Sequence, residues 1–192
     1  LATVEAGIED ADPLVRLGAL EALGSSASEV KLQLGYRLLS DPTRAVRIQA
    51  ARLLASVPPG GLPGGVQNTL LAERLAEYID AQGVNADHPT THLALGLLYA
   101  DIGDGVRSEA STRDALALDS AFVPGYLNLA DLLRAQGRDL EVESVLTDGL
   151  KQAPDDASLL HALGLLRVRE GRAAEAIPML ERAAAGAPEV AR

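Results

Sequence analysis

Leu95-Gly96-Leu97-Leu98-Tyr99-Ala100-Asp101-Ile102-Gly103 returns 34 residues later as Leu129-Ala130-Asp131-Leu132-Leu133-Arg134-Ala135-Gln136-Gly137. It returns again, 34 further on, as Leu163-Gly164-Leu165-Leu166-Arg167-Val168-Arg169-Glu170-Gly171. Within this stretch Leu95, Leu129 and Leu163 align, as do Leu98, Leu132 and Leu166, and Gly96, Ala130 and Gly164 form a small-residue series. Outside it, Ser120, Pro154 and Pro188 keep the same step. A fixed period of this size is the signature of a repeat architecture.

Each period reads as two helices. Residues 90–102, 124–136 and 158–170 carry apolar side chains at helical spacing. Each run stops at a Gly, the residue that enters the left-handed position after a helix at least cost. Second helices follow at 105–118, 139–152 and 173–186. Gly96, Ala130 and Gly164 on the first helix, and Ala115, Gly149 and Ala183 on the second, are small enough to let paired helices approach. Pro154 and Pro188 stop the second helix and set the turn into the next unit. A single pair cannot bury its own apolar face. Stacked pairs can, and stacking makes a solenoid.

These units resemble the tetratricopeptide repeat family. The first unit carries Leu95-Gly96-x-x-Tyr99, Ala115 and the Leu118-Asp119-Ser120 turn. The second carries Tyr126-x-x-Leu129-Ala130, Gly137 and Pro154, and the third Leu163-Gly164, Gly171, Ala176, Ala183 and Pro188. The resemblance covers residues 89–192 as three units. Two departures stand out. Arg167 replaces the aromatic of Tyr99, and Pro178 falls inside a second helix, where a slight kink or a loosened first turn is expected.

A different repeat lies upstream. Asp12-Pro13-Leu14-Val15-Arg16 recurs as Asp41-Pro42-Thr43-Arg44-Ala45-Val46-Arg47, with Val15 to Val46 and Arg16 to Arg47 both 31 apart. Each Asp is expected to cap a helix whose first turn holds the Pro. The Val is expected to turn inward, and the Arg to reach the Asp of a neighbouring turn. Residues 28–40 read as the second helix of the intact repeat, and residues 1–9 as the second helix of an earlier one. This pattern, over 1–57, resembles the short form of the HEAT family. The two resemblances together imply an all-α, right-handed helical-repeat solenoid of about 11 helices, two per repeat. In it a HEAT-like array is followed by a tetratricopeptide array.

Between the arrays, Pro and Gly fill 58–65 and mark a linker. It is not a phosphate-binding loop, because the helix that follows opens on Val66-Gln67-Asn68 without the Lys that would meet a phosphate. Residues 66–88 read as a connecting segment, with one helix over 66–85. Ala81 and Asn85 lie 34 before Ala115 and Asp119, so this is expected to be a degenerate tetratricopeptide half-repeat.

The chain holds 192 residues with a net charge of −10, from 17 basic and 27 acidic side chains. Nucleic-acid affinity comes from clustered Lys and Arg that release counterions, and no such cluster exists, so nucleic acid is not expected as a partner. No apolar run approaches the length of a membrane span, so no membrane insertion is expected. There is no Cys, which removes disulfides, thiolate metal sites and Cys-x-x-Cys-His haem attachment from this sequence. It starts at Leu1 and reads as a piece of a longer protein.

The sequence offers little chemistry. His88 and His92 are four apart, but Pro89 between them puts His88 in a turn, so the pair is read as packing and not as metal ligands. His161 has no nucleophile or acid at a useful spacing. Asp101-Ile102-Gly103-Asp104-Gly105 lacks the alternating ligands and terminal Glu of a calcium loop and falls at the turn between paired helices. No catalytic, cofactor-binding or metal-binding residue is assigned, no cofactor is expected, and the chain is read as not an enzyme.

What the tetratricopeptide resemblance implies is a concave face lined by first helices. Its contact positions fall here on Leu93, Leu97 and Asp101, on Leu127, Asn128, Asp131 and Arg134, and on His161, Leu165 and Arg169. The carboxylate clamp of some members of the family is not expected, because the matching positions are Leu93, Leu97, Asn128, Ser158 and Ala162, and only Asn128 fits. The expected function is therefore a non-catalytic scaffold that binds a peptide or protein segment on this face. A second reading rests on a resemblance to the C-terminal part of bacterial multihaem c-type cytochromes. It is carried by the Asp-Pro…Val-Arg repeats, the Pro/Gly linker and Asn85-Ala86-Asp87-His88-Pro89. That resemblance implies a docking or assembly region of an exported, periplasmic electron-transfer protein. Without it a cytoplasmic protein is expected.

Overall fold

The structure, a computed structural model, describes residues 2–58 and 66–186, and every regular element among them is helical. In chain order these are α1 (Ala2–Ile8), α2 (Pro13–Ala22), α3 (Ser28–Gly35), α4 (Arg44–Ala55), α5 (Val66–Gln82), α6 (Pro89–Asp101) and α7 (Gly105–Leu118). Then follow α8 (Val123–Ala135), α9 (Asp139–Gln152), α10 (Ala157–Arg169) and α11 (Ala173–Gly186). The fold class is all-α, a helical-repeat solenoid. The linker expected over 58–65 and the turn proline Pro188 lie outside the described residues, apart from Pro58. Two compact units form, one of Leu1–Asn85 with Asp101–Asp104, the other of Ala86–Ala100 with Gly105–Arg192.

In the first unit, α2 starts as its sequence dictates. Asp12 is the N-cap, its carboxylate accepts from the Leu14 N–H at 2.9 Å, and Pro13 occupies the first turn. The core gathers Leu20, Leu23, Leu39, Val46, Leu54 and, from α5, Leu71. Arg16 reaches the Asp of the next repeat. Its Nε donates to Asp41 Oδ2 at 2.7 Å and its Nη2 to Asp41 Oδ1 at 3.0 Å, with both side chains nearly buried. A third bond runs from Nη1 to the Asp10 carbonyl at 2.7 Å.

Three expectations are corrected here. Asp41 does not cap α4. Thr43 is the N-cap residue, and Asp41 instead receives Arg16 and the Thr43 N–H at 2.8 Å, which leaves Pro42 ahead of the helix. Val15 is not inward. It stays 44% exposed, while Val46 is fully buried in the core that Leu71 joins. The difference is in the covering element, since α5 packs on α4 whereas α2 meets the seven-residue α1, whose Gly7 lies beside Ala19 and Val15. Residues 28–40 and 66–85 are not single α-helices either. Each tightens into a 3-10 turn at its end, Tyr36–Ser40 and Gly83–Asn85. The change comes at Gly35 and Gly83, the poorest helix formers after proline, and 3-10 turns are common at α-helix ends.

In the second unit the small residues do what close helix packing requires. A Cβ on Gly96 would lie 2.5 Å from Thr112 Oγ1 on α7, and one on Gly149 would lie 2.9 Å from the Tyr126 ring. Tyr126 is itself pinned, its hydroxyl donating to the Ser120 carbonyl at 2.9 Å. The turns are glycine turns in the left-handed region, with φ of 79° at Gly103, 72° at Gly137 and 74° at Gly171. After α8 the Arg138 N–H reaches the Leu133 carbonyl and the Gly137 N–H the Arg134 carbonyl. After α10, Arg172 to Arg167 and Gly171 to Val168 repeat the pattern, which satisfies the last carbonyls of each helix.

A ladder of charges links successive repeats. Arg138 pairs with Glu109 of the preceding repeat at 2.6 Å and with Glu141 at 2.6 Å. Thirty-four residues on, Arg172 pairs with Glu143 at 3.3 Å and Glu175 at 2.6 Å. Arg167, where an aromatic was the family expectation, is only 6% exposed and joins the ladder through Glu143 and through Glu170 at 3.0 Å. Pro178 lies inside α11 without ending it.

Candidate functional site

On α8 the residues Leu127, Ala130, Asp131 and Arg134, and on α10 Ser158, His161, Ala162, Leu165, Val168 and Arg169, recur at intervals of three and four. Each set therefore forms one stripe along its helix. The two stripes border a concavity of about 520 Å³. Its floor includes Val142 and Leu146 of α9, which are 2% and 1% exposed. Leu165 and Val168 on the wall are about half exposed. The rim is polar. Arg134 Nη2 bonds Asp131 Oδ1 at 2.6 Å, and both remain open to solvent. His161 and Arg169 are exposed, and among the described residues Arg169 enters no ion pair.

Leu127, Asp131, Arg134, His161, Leu165 and Arg169 of the expected contact set thus come together around one hollow. The other four do not line it. Leu93 and Leu97 sit on α6, the latter 40% exposed. Asp101 groups with the first unit, where Arg52 Nη1 donates to it at 2.6 Å. Asn128 turns back along its own helix and donates to the Pro124 carbonyl at 2.8 Å. The family comparison pointed to first helices only, so it passed over Val142 and Leu146. Their i, i+4 spacing on the apolar side of a second helix was the available signal.

The remaining candidates resolve into structure. His92 Nε2 lies 2.8 Å from the Ala86 carbonyl, and the His88 carbonyl accepts from the Thr91 N–H. Among the described residues no group of three or more His, Asp or Glu is placed to hold a metal ion. No helix there is long and apolar enough to cross a membrane. Outside the ladder, burial pushes the Tyr78 and Tyr126 hydroxyls up, and against burial Arg47 and Arg74 hold the Glu77 carboxyl low. The Arg167 hydrogen bond and the charges of Arg167 and Arg172 hold the Glu143 carboxyl below the usual carboxylate range. Arg138 and Arg113 do the same for Glu109, against the upward pull of burial.

No family model matches the chain, and no curated protein matches it. Solved structures do. A crystal structure of MamA superposes with a TM-score of 0.52 at 14% identity, covering 94% of this chain and 91% of that one. A thermophilic tetratricopeptide protein of Thermus thermophilus, TTC0263, gives 0.50 at 16% identity, covering 85% and 93%. The fold is tetratricopeptide-like. A second MamA crystal structure, at 0.51 and 13% identity over 88% of this chain and 95% of that one, agrees. At these identities the likeness speaks of the fold alone.

Proposed function

We propose that the chain is a non-catalytic scaffold that binds a peptide or protein segment in the hollow between α8 and α10. The observation that carries the reading is the hollow itself. Aliphatic side chains stand exposed on its wall above a buried apolar floor, with polar groups around the rim, which is the make-up of a peptide site. Leu165 and Val168, half exposed one turn apart beside the buried floor, give a ligand apolar surface to cover. The scaffold calls for no cofactor and no metal. The first unit is read as its HEAT-like companion array, a reading supported by the 31-residue step of the Val-Arg motif and by the bond from Arg16 to Asp41.

The test is substitution of Arg134 and His161 together by Ala, followed by affinity capture with the full chain. Partners retained by the wild type and lost by the double variant, with an unchanged circular dichroism spectrum, support the site. Undiminished capture places binding elsewhere.

A further inference from the structure

We propose that this hollow selects an acidic partner, a segment of another protein that carries an aliphatic side chain next to a carboxylate. The inference rests on the peptide-binding reading above and adds the chemistry of the ligand.

The described arginines around the second unit's ladders are committed to carboxylates of the fold itself. Arg113 pairs with Glu109, Arg138 with Glu109 and Glu141, Arg172 with Glu143 and Glu175, and Arg182 with Asp155. Arg167 and Arg169 share the last turn of α10, yet they behave in opposite ways. Arg167 is buried and paired, while Arg169 is exposed and enters no ion pair among the described residues. Arg169 stands next to Val168 and one turn beyond Leu165, the two exposed aliphatic side chains of the wall.

The charged lining of the hollow is Asp131, Arg134 and Arg169. One negative against two positive leaves +1, in a chain whose total is −10. Asp131 is already met by Arg134 at 2.6 Å. An uncommitted guanidinium beside uncovered apolar surface fits one kind of ligand. Its aliphatic side chain covers Leu165 and Val168, and its carboxylate takes the Arg169 fork in paired hydrogen bonds. A lysine-bearing segment meets like charge at the same place, so the surplus gives selectivity as well as attraction.

The probes are three pools of blocked octapeptides with Leu fixed at two positions. Glu, Gln or Lys is fixed beside each Leu, and Ala or Ser fills the rest. Retention of each pool on the immobilised full chain is measured at low and high salt. The expected order is Glu above Gln above Lys, with the Glu pool favoured about fivefold over Gln, the size of one exposed ion pair. High salt should shrink that preference. R169Q should abolish it and R169E should invert it. Both variants change an exposed side chain, and the Leu-dependent retention of the Gln pool reports that the hollow is still formed. Equal retention of Glu and Gln pools, lost on Leu165→Glu, keeps the peptide site and overturns its acidic selectivity. Retention of no pool overturns both readings. A Glu preference that survives R169E places the acidic site elsewhere and overturns this assignment. A wild-type dimer in sedimentation that R169E dissolves gives the hollow to a second copy of the chain and equally overturns it.

Discussion

The two units both join their repeats with arginine–carboxylate pairs, but they place the most buried one differently, paired one to one in the first and within a shared network in the second. In the first, the pair of Arg16 with Asp41 lies almost entirely out of water, beside more exposed pairs such as Arg37 with Glu9 and Arg47 with Glu77. In the second, Arg138 and Arg172 are partly exposed and each is shared by two or more carboxylates, while the buried Arg167 shares Glu143 with Arg172. A buried pair is costly to form and costlier to break, because the survivor is left as an uncompensated charge. An exposed network contributes little per bond and degrades gradually. The first unit is therefore most vulnerable at Arg16 and Asp41, and the second spreads its pairing over shared carboxylates.

The sharpest way to break that contrast is Arg16→Met, which leaves Asp41 buried without its partner. We expect a loss of about 3 kcal/mol in urea unfolding, seen as earlier melting of the first unit. A loss below about 1 kcal/mol would show that water reaches Asp41 and that the two units are alike. Next in size is Gly149→Ala in the second unit. The added methyl meets the Tyr126 ring, which its bond to Ser120 keeps from yielding, and we expect about 2 kcal/mol by the same measurement. Gly137→Ala should cost about 1 kcal/mol, because the turn needs a positive φ although nothing crowds the site.

The smallest effect is that of pH. Glu109, Glu141, Glu143 and Glu175 all have their carboxyls held low, with arginine hydrogen bonds the largest cause in each. A depressed carboxylate stabilises above its unfolded value, near pH 4.3, and that contribution is lost as pH falls through the folded value. The melting midpoint of the second unit should hold from neutrality to about pH 5 and fall below about pH 4. The fall should be smaller at 1 M salt, where the exposed network is already screened. A salt-independent fall would point to a buried carboxylate instead.

The second unit was the more legible of the two in the sequence, and the reason is local. A helix followed by Gly137 in the left-handed region needs no knowledge of the rest of the chain. Repetition made such features visible three times over. In the first unit the Asp-Pro motif looked the same at Asp12 and Asp41, but only Asp12 caps a helix. The fate of Asp41 was decided by a guanidinium 25 residues away, and that of Val15 by which helix covers it. The site divides the same way. Stripes along α8 and α10 follow from helical spacing, so Leu127, Asp131, Arg134, His161, Leu165 and Arg169 could be grouped. Asn128 could not be excluded by spacing, because its bond to the Pro124 carbonyl is a choice of rotamer. The floor from α9 depends on how three helices stack.

The ladder also writes an order into the repeats. Arg138 and Glu141 correspond, at the 34-residue step, to Arg172 and Glu175, but one step earlier the same places hold Asp104 and Arg107, with the signs reversed. Each second helix offers a Glu, 109 or 143, to the arginine of the repeat that follows; at the next step the place is taken by Ile177. A gene duplication that copied the middle repeat would find every new junction matched, Glu to Arg, and could lengthen the array. A copy of the first repeat moved downstream would bring Asp against Glu and weaken the joint by up to about 1 kcal/mol. The array can grow from its middle.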